Sequence, residues 1–196
     1  MVGNDIIDIE ATKRSKDPNG LGWKRPGFIE KIFTESEQKL IATSKDPFIT
    51  VWQLWSMKES AYKVFIQAGG EPFYNPKTIE CQFESLNGHI KIKKLNLKSK
   101  SIVNQAYIFT VVGNENLNIK SKVINIGNDV KLQSKILRKH LLKDLSQTYN
   151  LEIAKLKIEK ILNGIPRLYY VEKELELAIS LTHCGSFGGY SFERLR

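Results

Sequence analysis

Apolar positions along this chain change period twice, and the changes separate helical from extended stretches. Residues 2–9 are rich in β-branched side chains, open at Gly3 and end in carboxylates, which predicts a short strand. Residues 11–27 are polar, carry Pro18-Asn19-Gly20 and Pro26-Gly27, and read as a loop. Thr34 followed three residues later by Glu37 is a capping-box pattern, so a helix is expected over about 36–42. A long helix follows over about 49–68, stopped by Gly69-Gly70. The period then falls from about 3.6 to about 2. Residues 78–83, 89–97, 105–112 and 117–126 read as strands, with Leu86-Asn87-Gly88 as a hairpin turn. A second long helix is expected over 130–149, its apolar side made of Leu132, Ile136, Leu137, Leu141, Leu142 and Leu145. A strand near 156–161, an Asn163-Gly164-Ile165-Pro166 turn and strands at 176–182 and 189–192 complete the pattern. Each half is thus a long helix with antiparallel strands, an α+β arrangement, and residues 113–118 make the best linker.

One stretch breaks its own pattern. Residues 52–63 read Trp-Gln-Leu-Trp-Ser-Met-Lys-Glu-Ser-Ala-Tyr-Lys, and at about 100° per residue Glu59 and Lys63 fall on the stripe of Trp52, Trp55 and Ile66. A carboxylate and an ammonium among tryptophans cost free energy unless each other, a metal or a charged ligand holds them. The plainer alternative is an exposed i,i+4 pair worth about 0.2–0.5 kcal/mol.

Asp5 and Asp8 fall at the end of the first strand. Carboxylates from separate elements, with Glu59 among them, make a hard-oxygen site suited to Mg²⁺, and Lys63 one turn on is a point charge for a phosphate oxygen. Alternatively Asp5 is a turn or capping aspartate, and Asp8 and Glu10 are a solvated strand end. Ser180-Leu181-Thr182-His183-Cys184-Gly185-Ser186 closes a strand into a glycine turn, where hydroxyls, amides and a histidine can bind phosphate. His183 and Cys184 do not form a nucleophile–base pair, because adjacent strand residues point to opposite faces.

At 196 residues and 41% hydrophobic, the chain is long and apolar enough to bury a core. No run approaches the roughly 18–20 apolar residues of a membrane span. The start has neither a basic nor an apolar leader region, and the two cysteines lack zinc-type spacing, so a reduced, cytoplasmic protein is expected. A net charge of +9 favours polyanionic partners. A basic nucleic-acid-binding domain has no motif in its support, since the lysine clusters lack an arginine-rich or aromatic-interleaved pattern.

The order of these pieces along the chain carries more than any one of them. Gly3-Asn4-Asp5-Ile6, Phe33-Thr34 with Glu37, Trp55-Ser56-Met57-Lys58-Glu59-Ser60 with Lys63, Gly164-Ile165-Pro166 and Ser180-Leu181-Thr182-His183 together resemble the 4′-phosphopantetheinyl transferases. The Trp-Ser-Met-Lys-Glu-Ser-x-x-Lys segment looks most like the larger, single-chain, surfactin-synthetase-activating branch. The resemblance implies Mg²⁺-dependent transfer of phosphopantetheine from coenzyme A to a serine of an acidic acyl or peptidyl carrier protein, releasing 3′,5′-ADP. By position, Asp5 and Glu59 match its metal carboxylates, Lys63 its phosphate lysine and His183 its coenzyme A histidine, with Ser180 and Thr182 on the same strand. Glu59 or a metal-activated water is expected to accept the serine proton, and the motif leaves the role of Glu37 open. Ile7 replaces an acid usual in the larger branch, and Ile165 replaces a turn lysine, for which Arg167 is expected to stand in. A catalytically silent coenzyme A or carrier-protein binding module is the alternative these departures favour.

In the larger branch the half with Gly-x-Pro and Ser-x-x-His comes first, whereas here it comes last. The resemblance therefore implies a circular permutation, with two similar lobes, 1–115 and 116–196, related by a pseudo-two-fold axis. It implies a single site at their junction and a monomer, with neither nucleic acid nor membrane as partner. An extended form of the small trimeric holo-acyl-carrier-protein synthases explains the motif order equally well, but not the second long helix.

Overall fold

The computed structural model describes residues 1–14, 22–114 and 119–195. The expected Pro18-Asn19-Gly20 turn and residues 115–118 of the expected linker lie outside them.

Strand β1 (Gly3–Asp8) runs directly into a short helix, α1 (Ile9–Arg14), where a loop was expected. The Asp8 side chain starts that helix by accepting a hydrogen bond from the Ala11 amide at 2.9 Å. Helices α2 (Phe28–Ile32), α3 (Glu35–Thr43) and α4 (Pro47–Gln67) follow. The capping box at α3 is present in full: Thr34 accepts from the Glu37 amide and Glu37 from the Thr34 amide. Asp46 caps α4 by accepting from the Ile49 amide, with Pro47 in the first turn, where its missing N–H costs nothing.

Four strands come next: β2 (Ile79–Glu84), β3 (Asn87–Ile92), β4 (Leu95–Val103) and β5 (Tyr107–Gly113). The single strand expected over 89–97 is in fact two, folded back at Lys93-Lys94, with Lys93 at φ 52°. The signal was in the parity of the apolar residues, which are even at Ile90 and Ile92 but odd at Leu95 and Leu97. The preceding hairpin turns at Ser85-Leu86, two residues earlier than expected, and leaves Asn87 and Gly88 inside β3. Then come β6 (Lys120–Asn125), α5 (Val130–Tyr149), β7 (Leu156–Lys160), β8 (Pro166–Tyr170), β9 (Lys173–Glu174), β10 (Leu177–Cys184) and β11 (Phe187–Arg194). Strands β8 and β9 were not anticipated. Of the five residues of β8 only Leu168 is buried, so its sequence shows no alternation to read.

The strands form three antiparallel sheets, in the orders β1-β5-β4-β3-β2, β10-β11-β6 and β7-β8-β9. The α+β class holds. Helix α4 packs on the five-stranded sheet through Leu54, Met57, Ala61 and Val64, which meet Ile79, Ile90, Ile92 and Val112. On α5, Leu137, Leu141 and Leu145 pack against Leu156, Leu168, Ile179 and Tyr190, whereas Leu132 is exposed and Ile136 and Leu142 are only half-buried. A third cluster of Val2, Ile6, Phe109, Val111 and Ala178 joins β1 and β5 to β10.

This junction puts β1 between α4 and β10. The approach to α4 is so close that a Cβ on Gly3 would lie 1.9 Å from the Ser60 carbonyl oxygen. Only glycine fits there, which explains why the first strand opens as it does.

Candidate active site

Strand β1 is held on both sides by polar side chains. From β10, the Ser180 hydroxyl donates to Asn4 Oδ1 at 2.8 Å and accepts from the Asn4 amide at 3.1 Å. From α4, the Ser56 hydroxyl donates to the Asp5 carbonyl at 3.3 Å and Lys63 Nζ to the Asn4 carbonyl at 2.6 Å. Gln67 Nε2 reaches the carbonyls of both Val2 and Ile179. Each buried bond leaves one fewer unpaired group and fixes the register of three elements against one another.

At the centre is Asp5. Its Oδ1 accepts from the Thr182 hydroxyl at 3.0 Å and lies 3.7 Å from Lys63 Nζ. Its Oδ2 is buried with no hydrogen-bond partner. Burial pushes the Asp5 carboxyl above the usual carboxylate range, although Lys63 and Thr182 oppose the shift. Burial also raises half-buried Glu59, and the charge of Asp5 adds to that, so the two carboxylates feel each other. A buried carboxylate oxygen without a donor, beside a second acid, is a site short of positive charge. The donors fit a hard divalent cation that takes one or two protein carboxylates. Among the described residues, no group of three or more His, Cys, Asp or Glu side chains gathers. Ile7, two residues along the same face of β1, packs instead in an apolar cluster with Ile9, Ile108, Trp52 and Trp55.

Asp8 and Glu10 do not share this site. Asp8 is buried rather than solvated: besides capping α1, its Oδ2 accepts from the Ser186 amide and hydroxyl, both at 3.0 Å. Burial alone would raise its carboxyl, but these hydrogen bonds together outweigh it and hold Asp8 below the usual range. Gly185, at φ +56°, lies against it, because a Cβ there would strike the Asp8 carboxylate at 2.2 Å. Glu10 is exposed and paired with Lys13 and Arg14.

A cleft of about 250 Å³ opens beside Asp5. It is lined by Lys63 from α4, Ser134 and Arg138 from α5, Ser180 and His183 from β10, and Lys160 with the 163–166 turn. The fold thus brings Lys63, Ser180 and His183 together on one cleft. Thr182 is not on its lining; it faces β1 and orients Asp5. Arg167 is not on it either, because its guanidinium pairs with Glu174 at 3.2 Å. The cations placed near Ile165 are Lys160 and Arg138, which no motif marked.

A buried pair behind the site also escaped the sequence. Lys58 Nζ and Glu37 Oε2 are 2.8 Å apart, with side chains 2% and 1% exposed. Glu37 Oε1 further accepts from the Cys81 amide at 2.8 Å, and Lys58 donates to the carbonyls of Pro76 and Ile79. Lys58 shares its helix face with Leu54 and Ala61, both fully buried, and this was the signal that the lysine points inward.

The model of the 4′-phosphopantetheinyl transferase superfamily matches residues 1–112, more than half of the chain. The chain belongs to that superfamily. It is also 38% identical over 64 residues to the holo-[acyl-carrier-protein] synthase of Caldanaerobacter subterraneus subsp. tengcongensis. That stretch is 33% of this chain and 46% of the relative, so the match spans less than half of the curated relative's length. The crystal structure of Thermotoga maritima holo-[acyl-carrier-protein] synthase aligns over 88% of this chain and 83% of that one, at 17% identity and a TM-score of 0.41, a loose likeness. The superfamily match covers β1, α4 and the five-stranded sheet, and therefore Asp5, Glu59 and Lys63. His183, Arg138 and Lys160 lie beyond it. No helix among the described residues is long and apolar enough to cross a membrane.

Proposed function

We propose that this superfamily member transfers 4′-phosphopantetheine from coenzyme A to a serine hydroxyl of an acyl or peptidyl carrier protein. One observation carries the reading: Lys63, whose charge acts on both Asp5 and Glu59, lines a cleft together with Ser180 and His183.

In this reading Asp5 and Glu59 hold Mg²⁺, which when bound neutralises charge on the pyrophosphate. The Asp5 Oδ2 atom, which has no protein donor, is the oxygen left for it. Lys63 binds the pyrophosphate as a point charge and stabilises the phosphate that leaves. His183, exposed on the cleft, donates to coenzyme A. Ser180 and Thr182 act through β1, the first by fixing Asn4 and the second by orienting Asp5. The serine oxygen attacks the phosphorus that carries pantetheine, the bridging P–O bond breaks, and 3′,5′-ADP leaves. Glu59, on α4 one turn from Lys63, accepts the serine proton. The direct test is to incubate the protein with coenzyme A, Mg²⁺ and candidate apo-carrier proteins and weigh the products. A carrier heavier by one phosphopantetheine is expected. Carriers unchanged in mass, with coenzyme A still bound, would favour a silent binding module.

The site draws residues from both ends of one chain, so residues 1–115 and 116–196 are read as two lobes that complete it without a second copy. Light scattering is expected to give a monomer near 22.4 kDa. A stable trimer would defeat the two-lobe reading and make residues beyond 113 an extension.

A further inference from the structure

We propose that Asp8 is a positioning residue for the transfer reaction: by clamping the Gly185-Ser186 turn it fixes the end of β10 against β1 and so holds His183 in place on the cleft. The inference rests on the transferase reading, in which His183 contacts coenzyme A.

Among the described residues, β1 and β10 lie in different sheets, β1 pairing with β5 and β10 with β11. No backbone ladder therefore sets how the two strands lie against each other, although one carries Asp5 and the other His183. Side chains do so instead, in three rungs. Asn4 and Ser180 exchange hydrogen bonds, Thr182 donates to Asp5 Oδ1, and the Ser186 amide and hydroxyl both donate to Asp8 Oδ2 at 3.0 Å. His183 falls between the second rung and the third. Its partner across the hairpin is Gly188, which offers no side chain for the imidazole to lean on.

The third rung is more than a hairpin needs. A two-residue turn between paired strands is closed by the ladder itself, yet this one is tied to three other parts of the fold. Gln133 Nε2, from α5, donates to the Gly185 carbonyl at 2.6 Å, and the Ser186 carbonyl accepts from the Ile126 amide at 2.8 Å. Asp8, only 4% exposed, supplies the third tie. It accepts from Ala11 on one oxygen and from Ser186 twice on the other, an acceptor-only pattern suited to an ionised carboxylate and not to an amide. Burying that charge costs free energy which closing a turn does not require. What the carboxylate adds is the placement of the turn relative to β1, three residues along the strand from Asp5. Without it the end of β10 beyond Thr182 loses its hold on β1, and His183 is on that end.

The test uses Asp8→Asn and Ser186→Ala, each alone and combined with His183→Ala. Affinity for coenzyme A is read by calorimetric titration, and KM and kcat by steady-state transfer. An amide has one acceptor oxygen, so Asp8→Asn cannot serve both Ala11 and the Ser186 amide, whereas Ser186→Ala loosens the turn and leaves the α1 cap alone. Coenzyme A affinity is expected to fall about tenfold in Asp8→Asn and about threefold in Ser186→Ala, part of the loss typical of a hydrogen bond to a charged group, while KM for the carrier protein holds within about twofold. On the His183→Ala background both losses should vanish, because the clamp acts through that imidazole. In the ligand-free protein the His183 ring resonances should shift and broaden in both variants, with those of His89 and His140 unchanged. Equal losses with and without His183, or unmoved His183 resonances, would make Asp8 a structural anchor alone and overturn the proposal while leaving the transferase reading intact. If Asp8→Asn fails to fold, Ser186→Ala and its cycle with His183→Ala decide the matter. A wild type that binds no coenzyme A and transfers nothing would sink the transferase reading and the proposal together.

Discussion

Asp5→Asn should slow phosphopantetheine transfer by about 10²–10³ or more, the scale set by removing one group aimed at reaction charge, and should also make the metal-free protein more stable. The two effects have one cause. Burial holds the Asp5 carboxyl above its ordinary range, so the unfolded chain releases this proton at lower pH than the folded one does. Between those two values the folded state binds more protons, and stability therefore falls as pH rises through that window. At neutral pH the burial of this carboxyl is a standing cost, which the neutral amide removes while still accepting from Thr182. Calorimetry in EDTA should show a higher melting temperature for Asp5→Asn at pH 7, with the gap closing toward pH 4. Glu59→Gln should lose transfer comparably and gain less, because Glu59 is only half-buried. An Asp5→Asn protein that is inactive and also less stable would make Asp5 a structural acceptor for Thr182 and remove it from the metal assignment. Full transfer by both variants, or by wild type in excess EDTA, would remove the metal from the mechanism.

Lys58→Met should be the most damaging substitution to the fold, costing about 3–5 kcal/mol by stranding a buried charge. Glu37 would keep the Thr34 and Cys81 amides but lose its counter-ion, with its side chain only 1% exposed. The carbonyls of Pro76 and Ile79 would lose their donor at the same time. Glu37→Gln on the same background should recover part of the loss, since it removes the stranded charge and keeps an acceptor for the cap. Urea unfolding of the two single variants and the double variant gives the coupling directly. If Lys58→Met costs under about 1 kcal/mol, the pair contributes no more than an exposed ion pair does. Because Lys58 immediately precedes Glu59, the pair also fixes which face of α4 turns to the cleft.

Local patterns were enough for much of this architecture. The bounds of α5, the capping box at Thr34 and Glu37 and the run of α4 all follow from residues within a few positions of one another. The strip of charge among tryptophans marked Glu59 and Lys63, and the opening Gly-Asn-Asp marked Asp5, because a charged residue on an apolar stripe is visible without a fold. What the sequence could not order was everything set by partners far along the chain. Thr182 and Asp5 are 177 residues apart, and only their meeting shows that the threonine orients the acid. Asp8 looked like a solvated strand end until Ser186, 178 residues on, arrived to bury it. Arg167 sits next to the Gly-Ile-Pro turn in sequence, yet strand pairing with β9 delivers it to Glu174, while Arg138 comes to the cleft from a different element. Charge and hydrophobicity along a chain state which groups need a partner. Which partner each one finds is decided by the packing of β1 between α4 and β10, where non-local contacts fix the direction in which every side chain points.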